Sequence, residues 1–249
     1  FDDVSIYDCT SQWGVFSIAG PNSRSFLKKI VVCEDPDQTL SNKEFPWLSY
    51  RDIEIGMCPV RALRVAYTGE LGWELHHPIE MQNYLLDILL SSGKEFNLKL
   101  VGARAQNWLR QEKSYKAFGS DLGRDAGPFE SNLSRFVDIN KNFLGKDALL
   151  KRKTDVSCVT LLIDGPKDID PWGREALYNE TEEVMLGRLT SAGYSVHFKR
   201  SIGIGYVKSS FSEVGTKLRI KIDDAFWNAE IVRDSPYDPQ NERIIDRAQ

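Results

Sequence analysis

From Val156 onward the chain loses helical spacing and falls into short β-branched runs cut by turn residues. Val156–Ile163, Val184–Leu189, Ser201–Val207, Lys217–Ile222 and Ala225–Val232 each read as a strand. Turns at Gly165-Pro166, Pro171-Trp172-Gly173 and Asp223-Asp224 separate them. Several short strands with regular turn signals predict a small barrel or sandwich.

The preceding part is mixed. Trp13–Ala19 reads as a buried strand, and the turn Gly20-Pro21-Asn22 leads into a helix over Ser23–Ile30. Val32–Ser41 is acidic and polar, a loop. Ser49–Ile55 and Val60–Tyr67 form a hairpin about Gly56. Gly72–His77 is a strand in which Trp73 and Leu75 face away from Glu74 and His76. A helix from Glu80 places Met81, Leu85, Ile88 and Leu89 on one face. A second helix, Ala103–Ala117, carries Val101, Ala105, Trp108, Leu109 and Tyr115 on its apolar side, where Glu112 and Lys116 can pair. Gly119–Asn132 is a long loop, and Gly145–Lys153 a short Lys-rich helix. The expectation is an α+β fold in two domains, residues 1–140 and 141–249, with the boundary near Asn140–Asp155.

Composition narrows the function classes. Net charge is −4, a poor match to nucleic acid, which needs clustered positive charge. No apolar run approaches bilayer length. Cys9, Cys33, Cys58 and Cys158 are scattered, and His76, His77 and His197 have no metal-like spacing, so no metal site is expected. Scattered cysteines fit a reducing compartment. The chain begins with Phe1 rather than Met, which reads as truncation or processing.

Motifs for phosphate loops, dinucleotides, zinc proteases and serine hydrolases are absent. Gly203-Ile204-Gly205 lies among strands with no helix after it, so close strand packing explains it better than a cofactor. The densest segment is Tyr67-Thr68-Gly69-Glu70-Leu71-Gly72-Trp73-Glu74-Leu75. Its two glycines mark a tight turn or a close backbone approach. A carboxylate beside aromatics suits a flat heterocycle with paired N–H donors. From the pattern alone, solvated carboxylates and core aromatics are the stronger reading, and an acid/base pair of Glu70 and Glu74 has no other support.

These residues resemble a known family. FPWL (Phe45–Leu48) and VRALRVAYTGELGWELHHP (Val60–Pro78) are similar to the aminomethyltransferase-type region of dimethylglycine and sarcosine dehydrogenases. Collinear matches run from AGP (Ala19–Pro21) through LRQEKSYKAFGSDL (Leu109–Leu122), Pro128 and Glu130 before Leu133, and NKNFLGKDAL (Asn140–Leu149). They continue through DPWGREALY (Asp170–Tyr178), GRLTSAGYS (Gly187–Ser195), SIGIGYV (Ser201–Val207) and SPYDPQNERI (Ser235–Ile244).

The resemblance implies a folate-binding α+β body followed by a β-barrel, with tetrahydrofolate as cofactor. In the full enzymes an upstream flavin domain, carrying FAD, oxidises an N-methyl group. The resulting methylamine-derived iminium is captured as methylene-tetrahydrofolate. The resemblance carries the folate contacts to Tyr67, Glu74, Leu75 and His76, with His76 where dimethylglycine dehydrogenase has tyrosine. Arg135 stands where the family has an aromatic bordering the folate. Gln106 replaces an arginine of the glycine-cleavage enzyme, as in the dehydrogenase branch. The family's catalytic aspartate precedes the AGP segment, and neither Asp2 nor Asp3 matches its context, so no catalytic residue is assigned. The implied partners are a flavin domain or partner subunit, and the implied location is the mitochondrial matrix in a eukaryote or otherwise the cytoplasm. The alternative is a non-catalytic relative, like the regulatory subunit of pyruvate dehydrogenase phosphatase, that acts by protein binding.

Overall fold

The computed structural model describes residues 3–152, 154–165 and 169–246. Asp2, Lys153 at the end of the expected Lys-rich helix, and Pro166 of the first expected turn lie outside them. The chain divides into two compact units, one of residues 1–102 with 240–249, the other Ala103–Pro239.

The first unit is a four-stranded antiparallel sheet, β1 (Trp13–Ala19), β2 (Tyr50–Ile55), β3 (Cys58–Leu63) and β4 (Gly72–Pro78), in the order β1-β4-β3-β2. Its helices are α1 (Ser23–Ile30), the single turn α2 (Pro36–Thr39), which interrupts the expected acidic loop, and α3 (Gln82–Gly93). Asp35 caps α2 by accepting from the Gln38 N–H at 2.9 Å. Gly56, at φ 58°, makes the two-residue hairpin turn that joins Ile55 to Cys58. β3 ends at Leu63, short of the expected Tyr67, because Arg64 is drawn into the interior, where its Nη1 donates to the Phe45 carbonyl at 2.6 Å. Phe26, Leu27, Phe45, Trp73, Leu75, Leu85 and Leu89 belong to the core between helices and sheet. Met81 and Ile88 pack only partly buried at its margin.

The second unit begins with α4 (Ala103–Glu112), continues through α5 (Lys146–Lys151), and closes six strands into a barrel. These are β5 (Val156–Ile163), β6 (Ala176–Tyr178), β7 (Met185–Ser195), β8 (Arg200–Lys208), β9 (Lys217–Ile222) and β10 (Ala225–Val232), in the order β10-β5-β8-β7-β6-β9. The expected strands are present, and β6 is additional. Gly205 explains part of the glycine pair: a Cβ there would come within 2.5 Å of the Arg188 carbonyl oxygen on β7. The four-residue α6 (Glu242–Ile245) belongs to the first unit.

α4 corrects two expectations. It stops at Glu112 rather than Ala117, because Ser114 adopts φ 55° and the Tyr115 N–H returns to the Arg110 carbonyl at 2.9 Å. Glu112 and Lys116 therefore do not share a helical turn. Nor is the buried side the expected apolar one. Val101 is exposed, and the buried residues of the helix are Arg110, Gln111 and Glu112. Each charge has a specific partner in the same unit. Arg110 Nη1 lies 2.6 Å from Asp121 Oδ2, Glu112 accepts from the Ser195 hydroxyl, and Lys116 Nζ reaches Asp234 at 3.5 Å.

Candidate functional site

Strand alternation builds the site on β4. Trp73, Leu75 and His77 are buried on the helix-covered face, whereas Glu74 and His76 point to the other and remain about one-third exposed. Two residues apart on one side, they meet: His76 Nε2 lies 3.2 Å from Glu74 Oε2. Register places Ser17 and Leu63 beside Glu74, and Val15 and Arg61 beside His76. Arg61 is held by Asp52, Nε to Oδ1 at 2.9 Å. A cleft of about 620 Å³ opens next to this row, lined by Trp13, Val32, Arg51, Arg61 and Pro78 among others. Tyr67, Glu74 and His76 are not among its walls.

The two glycines of the segment do different things. Gly69, at φ 79°, makes the turn. Gly72 allows close approach, since a Cβ there would stand 2.6 Å from the Ile18 carbonyl oxygen. Glu70 in this turn meets Arg243 at 3.5 Å. Thr68 Oγ1 is buried with no hydrogen-bond partner among the described residues, and Tyr67 is half-buried in the loop.

The core reading of the aromatic holds for Trp73. Trp73 is wholly buried on the opposite side of the strand, so it cannot stack on a ring held by Glu74. Instead two guanidiniums flank it, Arg24 at 5.5 Å and Arg64 at 5.8 Å from the ring centroid. Leu75 likewise commits its side chain to the core. Sequence reasoning missed Arg24 and Arg64, because a lone arginine after a turn carries no signal of burial. Burial, reinforced by the neighbouring Arg24 charge, lowers the Arg64 pKa to about 10.

His77 is fully buried and stacked on Phe16, with centroids 4.9 Å apart; its Nδ1 lies 2.9 Å from the Leu75 carbonyl oxygen. Arg135 belongs to the second unit, exposed in the turn Ser134–Phe136 with its guanidinium 4.8 Å from the Phe136 ring centroid. Gln106 is exposed on α4. Among the described residues no cluster of three His, Cys, Asp or Glu side chains could hold a metal, and no helix is long and apolar enough to cross a membrane.

A helix-backed sheet with a carboxylate on its far face, and a closed six-stranded barrel, define an aminomethyltransferase fold. Residues 1–141 match the GCVT N-terminal domain and residues 157–238 the glycine cleavage T-protein C-terminal barrel domain, and the chain belongs to this family. Mouse mitochondrial dimethylglycine dehydrogenase is 35% identical over 239 residues, 93% of this chain but only 26% of that protein. The 4-methylaminobutanoate oxidase (formaldehyde-forming) of Paenarthrobacter nicotinovorans is 29% identical over 97% of the chain and 29% of its own length. An aminomethyltransferase of Caldanaerobacter subterraneus is 29% identical over 92% of the chain and 60% of its own length. The chain thus spans about a quarter of the dehydrogenase's length. The crystal structure of the glycine cleavage system aminomethyltransferase T from Bartonella henselae shares the fold, with a TM-score of 0.75 at 20% identity over 91% of this chain and 60% of that one.

Proposed function

We propose that this chain is the tetrahydrofolate-holding part of a dimethylglycine/sarcosine dehydrogenase-type protein, where a one-carbon unit from an oxidised N-methyl amine is captured as methylene-tetrahydrofolate. The observation that carries the reading is the Glu74–His76 pair, turned outward from a strand whose other side is locked in the core. A carboxylate left one-third exposed can accept the paired N–H donors of a pterin edge, and the neighbouring imidazole fixes its orientation. Tyr67 lines the ring, and Leu75 anchors the strand between the two contacts. Bound folate supplies the nucleophilic nitrogen that accepts the carbon. This chain's share is to hold that nitrogen next to the iminium carbon, which makes the capture local and limits release of formaldehyde. Kinship with dimethylglycine dehydrogenase supports a flavin domain elsewhere in the whole protein, and the names of the mitochondrial relatives support the matrix as its location in a eukaryote.

Calorimetric titration with tetrahydrofolate tests this. Glu74→Ala should weaken binding by ~2–3 kcal/mol, because the ligand's donors lose a charged acceptor. Equal binding by the variant and the unaltered chain would remove Glu74 from the site. No binding by either would remove the folate reading.

A further inference from the structure

The first unit is completed by residues from the far end of the chain, and they converge on the back of the Glu74 strand. Arg24 and Arg64 are the most deeply buried charges there, 2% and 1% exposed. Arg24 Nε pairs with Asp246 Oδ2 at 3.0 Å, and its Nη2 donates to Asn42 Oδ1 at 2.7 Å. Arg64 Nη2 donates to the Ile245 carbonyl at 2.8 Å, and Asn42 Nδ2 to the Asp246 carbonyl at 2.7 Å. These are the carbonyls that α6 leaves unpaired when Asp246 ends it at φ 55°. Ile244, 2% exposed, enters the interior beside them.

Both guanidiniums lie over Trp73, the residue before Glu74. On the other side of the loop, Arg243 meets Glu70. The tail therefore grips the Tyr67–Leu75 segment at two places, through the indole inside and through a carboxylate at the rim. Neighbouring residues on a strand point to opposite faces but share one backbone, so a shift of that backbone that lets Trp73 leave its place in the core also displaces Glu74 outside. A ring covered by two guanidiniums that are themselves ion-paired or hydrogen-bonded resists that shift.

We propose that Asn241–Asp246 is a positioning latch for the site, holding Glu74 in its binding orientation through Arg24, Arg64 and Trp73. The inference deepens the folate reading and rests on it for the role of Glu74. Asp246 and Arg243 are positioning residues on this account, with no contact to the ligand.

The test combines amide hydrogen exchange with tetrahydrofolate binding in the full chain. Asp246→Ala should speed exchange over residues 66–76 and weaken tetrahydrofolate binding roughly tenfold, about 1.4 kcal/mol. Combined with Glu74→Ala it should add little further loss, because both changes act on one contact. Asp246→Glu should recover most of the affinity. A lower melting temperature with unchanged exchange over 66–76 and unchanged affinity would overturn the latch, and so would fully additive losses. Should Asp246→Ala fail to fold, Asn42→Ala removes only the polar ties of Asn42 and is read in the same way. If the unaltered chain does not bind tetrahydrofolate, the folate reading fails by itself. The exchange result then decides whether the tail orders the segment.

Discussion

Arg110 and Asp121 form the most deeply buried ion pair among the described residues of the second unit. Both are withdrawn from water, and every ligating group is fixed: Asp121 also accepts from the Ala117 N–H at 2.9 Å and the Ser191 hydroxyl at 2.6 Å, while Arg110 reaches the Tyr115 carbonyl at 2.7 Å. Removing one partner strands the other charge, so Asp121→Ala should cost ~3–5 kcal/mol in urea unfolding. An effect below about 1 kcal/mol would mean that Arg110 finds another partner. Cys158 and Tyr206, adjacent in the same unit, titrate late. Burial lifts the thiol from its ordinary 9.0 to about 12 and the phenol from 10.0 to about 12. Both keep their protons longer folded than unfolded. Their contribution to stability is thus complete below about pH 9, shrinks as the unfolded chain ionises, and is gone once the folded groups ionise near 12. Melting temperature should fall above pH 9, and Cys158→Ala should delay the onset of that fall towards pH 10. A melting temperature that stays level from pH 8 to 11 would contradict both assignments.

Short elements show where reading by pattern works. Alternation alone places Glu74 and His76 together on one side of β4, and the glycine-flanked turn before them is equally plain. It places β9 and β10 at their observed ends, because each alternates long enough to declare a period. β6 has only three residues, too few for a period, though it closes the barrel between β7 and β9. The end of α4 was equally hidden, since Ser114 takes a left-handed conformation with neither glycine nor proline to announce it. The Trp73 surroundings were invisible for another reason: Arg24 and Asp246 stand 222 positions apart, and a long-range ion pair leaves no local trace. Glycine positions again follow from packing. Gly193 on β7 lies against the Trp108 indole, which a Cβ would overlap, and Gly173, at φ 96°, would bring a Cβ within 2.5 Å of Ser191 Cα. Gly193→Ala should destabilise the chain by ~1–3 kcal/mol in chemical denaturation, and Trp108→Ala made with it should recover less than the full loss. A neutral Gly193→Ala would show that the indole moves aside freely.

At the scale of the whole chain, the folding units are not simple halves of the sequence. The change of texture at Asn140–Asp155 falls just before the first barrel strand, β5, whereas the compact units divide at Gly102 and again at Pro239. Earlier still, Arg110 and Glu112 tie α4 to barrel residues Ser191 and Ser195. No periodicity foretells those ties, because buried charges on a helix read as a solvated face until their partners are known. The chain leaves the first unit after Gly102 and returns to it at Gln240, so the intervening stretch is contiguous and the first unit is not. A contiguous unit with a closed barrel and its own core has what independent folding requires. Residues 103–239 produced alone should therefore unfold in one cooperative urea transition. Residues 1–102 alone lack Ile244 and the ion-pair partner of Arg24, Asp246, and should gain stability when a peptide of residues 240–249 is added. A non-cooperative transition in the first fragment would show that the barrel unit needs more of the chain. A second fragment indifferent to the peptide would show that the arginines, Trp73 and the surrounding core hold without the returning tail.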